Sequence, residues 1–100
     1  MVKYVERYKQ IVDAHTRIVE DALKNNDLLI AENSIDLLEQ LFKTTHKLKV
    51  APKIVILSEA GLVLNEDKLE EEYNVLDFLE NFARKKANEC MELVVKKKKG

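Results

Sequence analysis

One hundred residues, 46% apolar and 35% charged, are enough for one domain with a core of its own and exclude a disordered chain. A formal net charge of −1 excludes a strong global attraction to nucleic acid. Two glycines and one proline leave little tight-turn chemistry, which argues for helices, and a single cysteine, Cys90, fits a reducing compartment.

Tyr4, Tyr8, Ile11, His15, Ile18 and Ala22 recur every three or four residues, with Val5, Val12 and Val19 alongside. They predict one helix over about 2–24. Asn25, Asn26 and Asp27 then break the pattern with residues that favour turns and caps. A second stripe follows through Leu28, Ala31, Ile35, Leu38 and Phe42, flanked by Leu37 and Leu41. So short a connection makes the two helices antiparallel neighbours.

Residues 50–72 admit two readings. "KIVIL" and "GLVLN" around "SEAG" fit a β-hairpin. Two short helices fit as well, with Pro52 in the first turn of one and Gly61 at the break before the next. The helical reading is preferred, because a lone hairpin is marginal without cover. Leu76, Leu79, Ala83, Ala87, Cys90 and Val94 predict a long closing helix, with Asn74 as its N-cap and Asp77 three residues on. The expected fold is an all-α, compact right-handed bundle of four to five helices over residues 1–95, with 96–100 a basic disordered tail. The "KKKKG" ending reads as that of a segment from a longer chain.

Chemistry-bearing constellations are sparse. His15 lies on an apolar stripe, His46 is expected exposed near the end of the second helix, and Cys90 falls on a buried face. Two histidines and one cysteine without close spacing do not make a zinc site, and no glycine-rich phosphate loop is present. The carboxylates of 66–72 read as a solvated acidic surface. No enzyme, metal or cofactor is expected. Four terminal lysines without interleaved aromatics argue against nucleic acid as a partner of this domain, and no apolar run is long enough to span a bilayer.

Several stretches together resemble the TFIIS N-terminal domain family, the small helical modules of transcription elongation factors. "ENSIDLLEQLFK" (32–43) is similar to the family's second helix. "KLKVAPKIVILSEAGLVLNEDKL" (47–69) resembles its paired-leucine helix followed by Gly, Val and Asn, here Gly61, Val63 and Asn65. "YNVLDFLENFARKKANECMELVVKKKK" (73–99) resembles the closing helix with its lysines. "HTRIVEDALKNNDLLIAENSIDLLEQL" and "LEEEYNVLDFLENFARKKANECM" are similar to the integrase-binding branch of that family. Two departures stand out. The chain lacks the family's Trp before the lysines, and "NEDKLEEE" is acidic where members are basic, which speaks against partner acids docking near that element.

The resemblance implies a nuclear protein–protein docking module of a transcription-associated factor. Its partners would be disordered peptide motifs with an aromatic or aliphatic anchor and flanking acids. The site would sit on two interhelical loops, carrying Asn26, Asp27 and Leu28 on one and Tyr73 and Val75 on the other. The same residues also admit plainer roles: Tyr73 and Val75 as a hydrophobic staple around Asn74, and 26–28 as a polar turn with a cap. Two other classes stay open. A self-associating helical protein, monomer or weak dimer, would use the first helix as a four-helix seam. An α/β roadblock-like scaffold, cytoplasmic rather than nuclear, would use the hairpin.

Overall fold

The computed structural model describes the backbone of residues 2–60 and 66–99 and the side chains of residues 4–50 and 72–99. Over these the chain is all-helical, in the order α1 (Val2–Lys24), α2 (Leu28–Ala60) and α3 (Glu66–Lys99). α2 runs antiparallel to both neighbours. Tyr8 of α1 meets Thr45, while Lys98 of α3 meets Glu32 near the start of α2 and Asp77 meets Lys49 farther along it. The envelope is long and narrow, 57 × 23 × 15 Å.

The α1–α2 turn forms as its residues dictate. Asn26 takes a left-handed backbone (φ 58°), which asparagine tolerates better than most residues. Its N–H reaches the Leu23 carbonyl at 3.2 Å, and the Asp27 N–H reaches Ala22 at 2.8 Å. Together these close a Schellman motif on α1. Asp27 then caps α2, its Oδ1 accepting from the Ile30 N–H at 3.1 Å.

Among the described residues there are three helices where four to five were expected. The two short middle helices are absorbed into the end of α2 and the start of α3, and residues 61–65 lie outside the described residues. The hairpin reading fails for 50–60, which are helical, and the α/β alternative loses its first strand with them. α2 outlasts its apolar stripe because polar side chains take over the inward positions after Phe42. Thr45 is 3% exposed and Lys49 9%. The Thr45 hydroxyl donates to the Leu41 carbonyl at 2.7 Å and meets the Tyr8 hydroxyl at 2.9 Å. Pro52 is thus interior to α2 rather than in a first turn.

α3 likewise begins eight residues before Asn74, so Asn74 is an exposed mid-helix residue and not an N-cap. Carboxylates in a first turn complement the positive end of the helix dipole, so "EDKLEEE" reads equally well as a helix start. The lysines expected as a disordered tail form the last turn of α3, and Lys98 pairs with Glu32 at 2.9 Å.

The core joins Val12, Val19, Ala22 and Leu23 of α1 to Ala31, Ile35, Leu38 and Phe42 of α2. α3 contributes Ala83, Ala87, Cys90 and Val94. Small residues on α3 let its backbone approach closely. On α1 the buried stripe is Val12–Val19, whereas Tyr4, Ile11 and Ile18 of the expected stripe are 40–47% exposed.

Candidate docking site

The expected site residues fall into two separate groups. Asn26, Asp27 and Leu28 form the turn that starts α2, whereas Tyr73 and Val75 lie inside α3, far from that turn. The Tyr73 ring sits 5.4 Å from Lys49 Nζ. At about 1.5 Å per residue, the turn and Lys49 are about 30 Å apart along α2. One anchor side chain cannot touch both groups, and only one of the two sits on a loop.

Around Tyr73 the structure places a polar cluster that ties α3 to α2. Glu80, 5% exposed, takes Lys49 Nζ at 3.0 Å, His46 Nδ1 at 3.0 Å and Arg84 Nη2 at 2.9 Å. Lys49 also donates to Asp77 at 3.0 Å. Burial by itself would raise the Glu80 carboxyl; the hydrogen bonds from Lys49, Arg84 and His46 outweigh it and hold the group at about 2. The Asp77 and Glu80 carboxylates raise the Lys49 ammonium against the opposing effect of burial. Every strong acceptor here already has its cation, so this cluster is a structural lock between helices.

The turn end is different. α1 and α3 finish side by side there and enclose an open cleft of about 550 Å³, lined by Glu20, Leu23, Lys24, Leu93, Lys96 and Lys97. Leu23 is buried and forms the floor, while Leu93 is 39% exposed at the side. Three lysines against one carboxylate give the rim a positive balance. Asn26, with an exposed side chain, closes the turn immediately beyond Lys24. A smaller cleft of about 300 Å³ lies on the other flank of α3. It is ringed instead by Glu32, Asp36 and Glu39 over Ile35, Met91, Val94 and Val95.

Sequence reasoning missed Leu23, Lys24, Leu93, Lys96 and Lys97 as a group. Their contribution depends on α3 continuing through the lysines until they draw level with the end of α1. The signal available was the strong helix propensity of "MELVVKKKK", with no breaker before Gly100.

No group of three or more metal-ligating side chains occurs among the described residues. Cys90 is fully buried; burial pushes its thiol up, with the Thr16 hydroxyl pulling the other way. None of the helices, over the described residues, is long and apolar enough to cross a membrane. No family model matches the chain, and no curated protein or solved structure shows significant similarity to it.

Proposed function

We propose that this chain is a protein–protein docking module that receives an apolar anchor flanked by acidic residues at the turn end of the bundle. The observation that carries the reading is the cleft with Leu23 and Leu93 inside and Lys24, Lys96 and Lys97 around it. Leucine surfaces take up an aromatic or aliphatic side chain for about 1.5–3 kcal/mol. The lysines steer and orient the flanking acids, and Asn26 offers an amide at the lip. A partner that orders on binding gives back part of that gain, which sets affinities near the micromolar range. The carboxylate-ringed cleft across α3 repels the same motif, so the two flanks discriminate.

The resemblance of 32–43, 47–69 and 73–99 to the TFIIS N-terminal domain family supplies the rest of the proposal. On it, the module serves a nuclear, transcription-associated factor of the elongation type, and its helices turn as a right-handed bundle. The proposal departs from the family's two-loop pattern in using the turn end alone, because Tyr73 lies beside Lys49, about 30 Å away along α2.

Isothermal titration with a synthetic acidic peptide carrying one Phe tests the reading. Binding should weaken as salt rises, because exposed charge pairs are screened. Lys96→Glu with Lys97→Glu should abolish it, while Tyr73→Ala leaves it intact. Binding that survives the double charge reversal, or is lost with Tyr73→Ala in a folded domain, would overturn the assignment of the cleft.

A further inference from the structure

The face shared by α1 and α2, away from α3, has an apolar surface that the docking cleft does not use. At about 100° per residue, Tyr4, Ile11 and Ile18 lie on one line along α1, spaced seven apart. Ile30, Leu37, Leu41 and Leu48 lie on one line along α2, with Asn33, Gln40 and Thr44 beside it. Both lines flank the Tyr8–Thr45 hydrogen bond that joins the two helices, so they border one groove. Ile11, Ile18, Ile30, Leu37 and Leu48 are each 41–52% exposed. The α2 strip carries no charged residue from Ile30 to Leu48, although 35% of the chain is charged. The ion pairs that cross between helices among the described residues all join α2 to α3, on the other side.

We infer that this face is the interface of a homodimer, with α1 and α2 of one copy packed on α1 and α2 of a second to make a four-helix layer. Three features select a second copy as the occupant. The face is two helices wide, which suits another pair of helices better than a single extended peptide. Its two stripes share a seven-residue spacing, so each can pack against the other across a two-fold axis. It offers the acid-flanked motif of the docking cleft a single bordering cation, Arg7 beside Tyr4 and Ile11, in place of three lysines. A strip about 27 Å long and about 20 Å wide buries about 550 Å² per copy, or about 1,100 Å² in all. That is the range of a weak, reversible dimer. The seam keeps Tyr4, Ile11 and Ile18 of the stripe expected on sequence and loses Ala22, which is buried inside the protomer with Val12 and Val19.

Sedimentation velocity over a concentration series, about 5 µM to 1 mM, tests it, since an interface of this size dissociates within that range. The wild-type chain should pass from monomer to dimer. Leu37→Lys with Leu48→Lys should stay monomeric with unchanged far-ultraviolet circular dichroism, while Met91→Lys, on α3, should dimerise like wild type. A wild-type chain that stays monomeric throughout overturns the inference, as does dimerisation of the folded double variant. Should the double variant unfold, isotope-filtered NOEs in a mixed labelled and unlabelled wild-type sample decide. Intermolecular contacts between Ile11 or Ile18 and Leu37 or Leu48 methyls support the interface, and their absence from a dimer overturns it.

Discussion

Replacing Glu80 by glutamine removes one charge from the α2–α3 lock and leaves its shape in place. The carboxyl is held at about 2 in the folded chain against an ordinary value of 4.5. A folded value below the unfolded one means the stabilisation is complete above pH of about 4.5 and fades as pH falls through about 2. Converted directly, the difference is about 3 kcal/mol. Two of its three partners lie half in water, since the His46 and Arg84 side chains are 55% and 48% exposed. Solvent screening around them trims the figure to about 1–2 kcal/mol. At pH 7, Glu80→Gln should therefore lower Tm by about 5–15 °C in a domain of this size. Thermal melts followed by circular dichroism at about pH 7, 4.5, 3 and 2 should show the gap between wild type and variant closing toward the acid end. Other carboxylates titrate in both proteins, so the gap isolates Glu80. A gap that is equally wide at both ends, or absent at pH 7, would refute the assignment of the lock to an ionised Glu80.

The remaining expectations concern the backbone and the core. Pro52→Ala should stabilise the chain, by up to about 3 kcal/mol, because an interior proline costs α2 the hydrogen bond to the Leu48 carbonyl; urea unfolding that shows no gain would return Pro52 to a helix start. Asn26→Gly should be neutral or stabilising, whereas Asn26→Ala should cost about 1 kcal/mol for its left-handed backbone. Asp27→Ala should cost about 1 kcal/mol through the lost cap; equal stabilities across these three variants would contradict the turn geometry. Leu38→Ala, at a position with no exposure, should cost about 3–5 kcal/mol by leaving a cavity, and a loss under about 1 kcal/mol would mean that α2 does not bury that face.

The parts of the fold legible in the sequence are those written in apolar spacing and turn residues. α1, the Asn26–Asp27 turn, the Ala31–Ile35–Leu38–Phe42 stripe and the Leu79–Ala83–Ala87–Cys90–Val94 stripe all follow from periodicity. The continuation of α2 was not legible, because Thr45 and Lys49 fill core-facing positions and are satisfied by Tyr8, Asp77 and Glu80, partners far away in sequence. A buried lysine looks like a surface residue until its carboxylates are known. Asn74 misled for the opposite reason: it has the chemistry of a cap, but the helix had already started at Glu66. On α1, the apolar residues cover more than one face, so periodicity alone could not choose between Val12–Val19 and Ile11–Ile18 as the inward stripe. The turn at 26–28 was legible as a turn, but none of the residues lining the cleft beside it was, because the cleft depends on α1 and α3 ending together, a fact of three-dimensional register.

The central claim is that an acid-flanked apolar motif docks at the turn end, and amide NMR locates binding directly. An acidic Phe-containing peptide titrated into the labelled chain should move the resonances of Glu20, Leu23, Lys24, Asn26, Leu93, Lys96 and Lys97, leaving those around Tyr73 and Lys49 in place. Shifts centred on Tyr73 and Val75, or no shifts at peptide concentrations up to about 1 mM, where even weak docking is populated, would contradict it.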